Sequence, residues 1–135
     1  GVSPQGNLDN NINKLYADVE KWCLEPGYLD YITPQIYYGY KDKLPFDSTA
    51  ETWQSLVKNP NVKLVCGIAA YKVGINAEWS TGDMLARQTN YIDSLPGYSG
   101  CAYYRYSSLF TEGTDVSALM ISERNKLQEA IANLD

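Results

Sequence analysis

The spacing of its β-rich segments is the feature that most constrains how this chain can fold. Three such segments begin at Leu29, Val62 and Gly100, and a stretch with helical periodicity follows each of them. Their separation of about 35 residues matches the size of one βα unit in a parallel sheet. A β-rich stub at residues 1–4, followed by another helical stretch, adds a fourth unit. The sequence therefore predicts an α/β fold of four βα units with parallel strands and right-handed crossovers.

The individual elements are predicted from hydrophobic periodicity and from their end signals. Near-continuous apolar or aromatic runs are typical of parallel strands that are buried on both faces. A capping box at residues 48–51 (STAE) predicts the start of one helix, and a Pro-Gly pair at residues 26–27 predicts the end of another. Besides the stub, strands are predicted over 29–38, 62–71 and 100–107, and helices over 13–25, 49–58, 81–95 and 114–134.

Two ways of completing such a sheet remain open. The chain of 135 residues, taken as one α/β segment over 1–135, has half the length of a (β/α)8 barrel, which normally needs about 250 residues. The alternative is an open doubly wound parallel sheet. In both folds ligands bind beyond the carboxyl ends of the strands. No apolar run approaches the roughly 20 residues of a membrane-spanning helix.

Composition excludes several kinds of chemistry. The chain has no histidine, and therefore neither an ordinary triad base nor an imidazole metal ligand. Its three cysteines (Cys23, Cys66 and Cys101) form no CxxC pair, and we expect them to be buried thiols. Without a GxGxxG or Walker motif we expect no cofactor, and we expect no metal. The net charge of −5 argues against a nucleic-acid partner.

Tyrosines and amides are concentrated at the predicted strand ends. Alternation along the second strand puts Gln35 and Tyr37 on one face and the apolar Ile32 and Ile36 on the other. The third strand ends at Tyr71, and the fourth delivers residues 103–106 (YYRY). Because sugar rings stack on aromatic rings and their hydroxyls bind amides and phenols, we expect carbohydrate as the ligand. The predicted substrate-binding residues are Gln35, Tyr37, Tyr71, Tyr103 and Arg105.

The carboxylates provide no convincing catalytic pair. A glycosidase usually needs two carboxyl groups about 5 to 10 Å apart, one of them with a raised pKa. Asp30 lies at the entry of its strand, which predicts a structural role. Glu78, beside Trp79, is the one weak candidate for a catalytic acid, and the isolated chain is expected to be inactive. Three other carboxylates lie in predicted loops at the carboxyl ends of the strands, namely Asp9, Asp42 and Glu112.

Several sequence blocks together resemble one known family. The most specific is DYITPQIYY at residues 30–38, supported by GVSPQG at 1–6 and GIAAYK at 67–72. Trp79, Gln88 and the closing strand at 100–109 extend the similarity. The chain in this way resembles glycosyl-hydrolase-like family 10, although the family often has Trp at the position of Tyr38.

This resemblance implies a (β/α)8 barrel of the glycoside hydrolase type, of which the chain would be the C-terminal half. It also implies a bacterial parent protein that is exported to the periplasm or cell surface, or lipid-anchored, and that cleaves cell-wall glycan strands. The family's catalytic acids are expected in the first half of the barrel. Gln35, Tyr37 and Tyr71 are the positions that carry over as lining the site.

Two other classes of function compete with a hydrolase fragment. A non-catalytic glycan-binding module would use the same tyrosines without any carboxylate, and a structural or interaction domain would use them as core residues. A half barrel would also leave two strand edges unpaired and apolar surface exposed, which favours association. We therefore expect a homodimer, with two halves closing one pseudo-barrel.

Overall fold

The computed structural model describes residues 1–110 and 117–134 of the chain. It contains three β-strands, which are β1 (Tyr31–Ile32), β2 (Lys63–Ala69) and β3 (Tyr98–Tyr104). Two short 3-10 helices cover Ala70–Lys72 and Glu78–Ser80. The α-helices are α1 (Leu8–Asn13), α2 (Val19–Leu24), α3 (Phe46–Leu56), α4 (Met84–Ser94), α5 (Tyr106–Leu109) and α6 (Ala118–Ala132).

The three strands form one parallel sheet in the order of the chain, β1-β2-β3. An isolated parallel bridge between Gln35 and Gly67 continues the pairing with β2 beyond the end of β1, and we call residues 31–37 the β1 segment. Two more parallel bridges join Val2 to Ile32 and Gln5 to Gln35, so the N-terminal stub lies alongside the β1 segment without forming a regular strand. The predicted α/β class with parallel strands is confirmed at this level.

The hydrophobic core lies between one face of the sheet and the helices. Ile32 and Ile36 from the β1 segment and Leu64 and Ile68 from β2 are each at most 1% exposed. Tyrosines of β3 also point toward the helices, because the Tyr98 hydroxyl donates to a backbone carbonyl of α3 at 2.9 Å. Large side chains from the helices complete this core, namely Phe46 and Trp53 of α3 and Met84, Leu85 and Ile92 of α4.

The opposite face of the sheet is much more open. Along the β1 segment, Ile32, Pro34 and Ile36 are buried, whereas Thr33 and Gln35 are partly exposed. This alternation agrees with the period of two expected for a strand covered on one face. Thr33 and Gln35, which are odd-numbered positions of the β1 segment, therefore lie on the open face of the sheet.

The helix boundaries differ from the predicted ones for local reasons. Helix α1 occupies the segment predicted as a loop, where the Asn7 side chain caps it by accepting from the Asn10 N–H at 3.2 Å. Helix α3 begins at Phe46 after Pro45, and the Ser48 hydroxyl donates to the Pro45 carbonyl. The capping-box prediction was wrong, because the helix begins two residues before Ser48 and its N-cap position is Pro45, which has no side-chain cap. The predicted positions 114–116 and Glu112 lie outside the described residues.

Helix α6 packs on α4 and carries a buried carboxylate. Glu123 is fully buried, and its two oxygens accept from the N–H groups of Met84 at 3.0 Å and Leu85 at 3.1 Å. The first turn of α4 is therefore capped by a residue 39 positions further along the chain. Among the described helices, none combines the length and the apolar character needed to cross a membrane.

Candidate functional site

Three tyrosine rings meet at the carboxyl edge of the sheet. Tyr37 and Tyr104 are stacked, with ring centroids 6.0 Å apart and an interplanar angle of 22°. Tyr71 stands edge-on to both, at 5.9 Å from Tyr37 and 6.1 Å from Tyr104. Tyr71 is 45% exposed and Tyr104 is 52% exposed, so the cluster is open to solvent. We call these three residues the tyrosine platform.

The central strand makes room for the platform by carrying small residues. Ala69 of β2 is the direct partner of Tyr104, and it lies between the segments that carry Tyr37 and Tyr104. Strands two positions apart in a sheet are separated by about 9.6 Å, so the rings reach 6.0 Å only by leaning toward each other over Ala69. One layer below, a Cβ at Gly67 would lie 2.7 Å from the Pro34 carbonyl oxygen. Small side chains on β2 thus allow this close arrangement.

Gln35 lies one layer below Tyr37 on the same open face. Its side-chain Nε2 donates to the Ser3 carbonyl at 2.9 Å, which ties the stub to the β1 segment. The neighbouring Gln5 carbonyl and side chain are bound in turn by Asn11 at 2.7 Å and Asn10 at 3.1 Å. An amide-lined surface therefore adjoins the platform.

Of the five predicted substrate-binding residues, the structure brings Gln35, Tyr37 and Tyr71 to the open face. Tyr103 lies on the opposite face, where its hydroxyl is 2.8 Å from Thr89 of α4. Because the Thr89 hydroxyl donates to the Leu85 carbonyl, Tyr103 is the donor in this contact. Tyr103 is therefore not brought together with the platform.

Arg105 follows the platform residue Tyr104 directly and is exposed at the carboxyl end of β3. The peptide bond between these two residues is cis. The Arg105 carbonyl accepts from the Ser108 N–H at 3.0 Å, which begins the short helix α5. Arg105 is therefore adjacent to the platform in the chain, on an exposed segment at the end of β3.

Tyr104 is the platform residue that sequence reasoning did not select. Both Tyr103 and Tyr104 end the same strand, and their alternation alone does not say which faces the helices. The register shift in the β2–β3 pairing near Gly100, whose φ is +134°, adds a residue to β3 and changes which of its positions face inward. The Gly in a predicted strand was the available signal of this irregularity.

Glu78 is engaged with the loop that follows the β1 segment. Its Oε1 accepts from the Tyr40 N–H at 2.7 Å and from the Lys41 N–H at 3.1 Å. A Cβ at Gly39 would overlap the same carboxylate, so a larger residue at this position would displace the Glu78 side chain. Trp79 beside it is buried, whereas Glu78 itself is partly exposed. The observed contacts of Glu78 are those of a side chain that anchors a loop.

Other carboxylates have local partners or lie away from the platform. Asp42 accepts from the Gly39 N–H at 2.8 Å, and Asp9 accepts from the Asn13 side chain at 2.6 Å. Asp30 immediately precedes β1, at the amino end of the sheet, where it is exposed. Within the described part of the chain, no group of three or more Cys, Asp or Glu side chains is placed to hold a metal ion.

The phenol of Tyr37 remains neutral at physiological pH. Burial raises the pKa of Tyr37, and the nearby phenols of Tyr71 and Tyr104 raise it further. Burial also raises the pKa of Tyr103 on the opposite face. A neutral phenol keeps its hydrogen and can therefore donate to a ligand oxygen as well as accept from a ligand hydroxyl.

Comparison with known proteins identifies the family. The family model described as Glycosyl hydrolase-like 10 matches residues 1–81, which is more than half of the chain. The chain therefore belongs to the glycosyl hydrolase-like 10 family, and the resemblance seen in its sequence blocks is confirmed.

Curated relatives extend the similarity beyond the family match. Glycosyl hydrolase DigH of Escherichia coli O6:H1 is 34% identical over 92% of this chain, which covers 33% of that relative. DigH of Escherichia coli K12 is 33% identical with the same coverage. Glycosyl hydrolase YngK of Bacillus subtilis is 35% identical over 73% of this chain and 20% of its own length. The chain spans about a third of the length of the DigH relatives.

Proposed function

We propose that this chain is the substrate-contacting, C-terminal half of a (β/α)8 glycoside hydrolase barrel that acts on bacterial cell-wall or related polysaccharide. The tyrosine platform is the observation that carries the proposal. It lies at the carboxyl edge of a parallel sheet, which is where barrel enzymes bind their substrates. The relatives named glycosyl hydrolase support the same class of reaction.

The four-unit architecture of this proposal rests on the sheet and its bridges. Three parallel strands follow one another in chain order, and the stub at residues 2–5 bridges to the β1 segment in parallel. Four consecutive parallel segments with helices on one face make half of an eight-stranded barrel. The open face with Gln35 and Tyr37 then corresponds to the barrel interior.

In this proposal the chain contributes binding and not a complete acid/base pair. Glu78 already accepts two backbone hydrogen bonds, and Asp42 accepts another within the same loop. The catalytic carboxylates would come from the portion of the longer relatives that this chain does not span. The isolated chain should therefore leave denuded peptidoglycan and chitooligosaccharides intact, and cleavage that is lost in Glu78→Gln would overturn this assignment.

The binding role is tested by calorimetry with chitooligosaccharides. Tyr37→Ala should weaken binding about tenfold, because a ring that contacts the sugar and two platform partners is removed. Tyr31→Ala is the matched control, since Tyr31 is a 48% exposed tyrosine of the same segment at the opposite end of β1. Equal losses in both variants would contradict the proposal.

A non-catalytic glycan-binding module is the second candidate function. It is favoured by the carboxylate of Glu78, which already accepts two backbone hydrogen bonds. It predicts the same calorimetric result, but without hydrolysis by any longer form of the protein. If the wild type does not bind oligosaccharide at millimolar concentration, the platform is instead a structural feature of an interaction domain.

We also propose that two copies associate through the open edges of the sheet. An apolar cavity of about 190 Å³ beside the stub is lined by Val2, Trp22, Tyr28 and Leu29. A second cavity of about 320 Å³ lies along β3 at the other edge, with Ile92, Tyr98 and Leu134 among its lining residues. In a closed barrel, neighbouring βα units would fill the grooves at both edges.

A further inference from the structure

Lys72 connects the two parts of the chain that carry the platform. It follows Tyr71 directly in the short 3-10 helix Ala70–Lys72, and its Nζ donates to the Tyr37 carbonyl oxygen at 2.6 Å. The two ends of this hydrogen bond are therefore a platform residue and the immediate neighbour of another. Trp79, only 1% exposed, lies beneath the ammonium group at 5.9 Å from its ring centroid. The Lys72 side chain therefore packs on Trp79 and at the same time donates to the backbone at Tyr37.

The backbone that follows Tyr37 is bound from the same direction. Gln88 of α4 is fully buried and its Nε2 donates to the Tyr38 carbonyl at 2.9 Å. Glu78 then accepts from the N–H groups of Tyr40 and Lys41. Three polar side chains from beyond β2 therefore fix the backbone between residues 37 and 41.

We propose that Lys72 is a positioning residue, which holds Tyr37 against Tyr71 and Tyr104 before any ligand binds. This inference rests on the proposed glycan-binding role of the platform. A binding surface that is already ordered loses less conformational entropy when its ligand arrives, so its affinity is higher than that of a mobile surface with the same rings. Lys72 is suited to this task because its ammonium group bonds the platform backbone and leaves all three rings free for the sugar.

The contacts of Lys72 distinguish positioning from general support of the core. The side chain is partly exposed and does not belong to the buried cluster that joins the sheet to the helices. The Tyr37–Tyr71 contact, in contrast, joins a loop and a short 3-10 helix beyond the strand ends, where regular sheet hydrogen bonding has stopped. Loss of the ammonium group should consequently affect the rings more than the overall fold.

The test compares Lys72→Met with Lys63→Met in the 135-residue chain. Methionine keeps an apolar stem over Trp79 and removes the donor, whereas Lys63 is exposed at the amino end of β2, far from the platform. Lys72→Met should shift the NMR ring signals of Tyr37 and Tyr71 in the unliganded protein. It should also weaken chitooligosaccharide binding about two- to tenfold, with a less favourable binding entropy. Lys72→Arg, which retains a cationic donor, should restore most of both properties.

The inference would be overturned if the ring signals of Tyr37 and Tyr71 moved no more in Lys72→Met than in Lys63→Met. Shifted ring signals with an unchanged affinity for chitooligosaccharide would overturn it too. If the wild type binds no oligosaccharide, the proposed function fails, and the ring signals alone decide whether Lys72 positions Tyr37. If Lys72→Met does not fold by circular dichroism, Lys72→Leu, which also lacks a donor, provides the same two readouts.

Discussion

At the residue scale, Tyr103 and Tyr104 show how one strand serves two purposes. Their side chains leave β3 on opposite faces, and Tyr103 bonds a helix while Tyr104 stacks on Tyr37. The same residue type therefore acts in the core and in the candidate site within two positions. Its role is decided by the face of the strand and not by its chemistry.

The thiols of Cys23, which is buried, and Cys101, which is partly buried, make the stability of the protein sensitive to alkaline pH. Burial raises the pKa of Cys23 from the usual 9.0 to about 11 and that of Cys101 to about 12. Because the pKa is higher in the folded state than in the unfolded state, the associated stability is fully present below about pH 9. It is lost as the pH rises through 11 and 12.

We therefore expect the free energy of unfolding, measured with urea under reducing conditions, to fall between pH 9 and 11. Cys23→Ala should show a shallower fall over this range, although its stability at pH 7 is lower because of the cavity that is created. Buried tyrosines titrate in the same direction, so the variant should retain part of the slope. Parallel pH curves for the two proteins would contradict this assignment to Cys23.

How much of the site could be predicted depended on whether each strand was regular. The alternation that put Gln35 and Tyr37 on the open face could be read from the sequence, because Ile32 and Ile36 mark the buried face unambiguously. On β3 the register shift near Gly100 broke that rule, so the prediction selected Tyr103, which faces the helices, in place of Tyr104. Lys72 and Glu78 bond backbone groups that lie 35 and 38 residues earlier in the chain, and no sequence pattern predicts such contacts.

At the scale of elements, helix α4 depends on a cap that a different helix supplies. The first N–H groups of an α-helix have no partner within it, and here Glu123 of α6 accepts two of them. The negative charge also lies at the positive end of the α4 dipole. The packing of α6 on α4 therefore also stabilises the first turn of α4.

Glu123→Ala should lower the free energy of unfolding by about 2 to 4 kcal/mol, because two buried N–H groups would lose a charged acceptor. Glu123→Gln should cost less, since one acceptor oxygen remains. Glu129→Ala is the control, because Glu129 is exposed on the same helix. Denaturant unfolding measures all three variants, and a Glu123→Ala loss no larger than that of Glu129→Ala would refute the cap's contribution.

Element type could be predicted from periodicity, whereas boundaries could not. The helices predicted over 49–58 and 81–95 correspond to α3 and α4, whose apolar residues recur at helical spacing. Helix α1 was missed because its residues are mostly polar and its start depends on the Asn7 cap. The stub was predicted as a strand, but it forms only isolated bridges because it is short.

At the scale of the whole molecule, β3 at one edge and the stub that borders β1 at the other have no further strand partner among the described residues. Parallel strands expose unpaired backbone donors and acceptors at such edges. Here an apolar groove lies beside the stub, and a groove of mixed polarity, which includes Asp93 and Ser99, lies along β3. If each edge of one copy pairs with the opposite edge of a second copy, a two-fold axis closes the assembly.

Light scattering at micromolar concentration should therefore give about twice the monomer mass of 15.1 kDa. Tyr28→Glu places a charge in the groove beside the stub and should shift the protein toward monomer. Tyr16→Glu is the control, because Tyr16 is 89% exposed and lies outside that groove. A wild-type protein that is monomeric throughout this range would exclude the proposed association.

The order of the strands has a consequence for how the molecule is assembled. Each strand pairs with the one that precedes it in the chain, so each new βα unit needs only the unit already made. Each pairing spans about 32 to 35 residues, so a unit can pair as soon as the next unit has been synthesised from the N-terminal side. The same arrangement suits growth by gene duplication, since another unit can be added at an edge without breaking any existing pair.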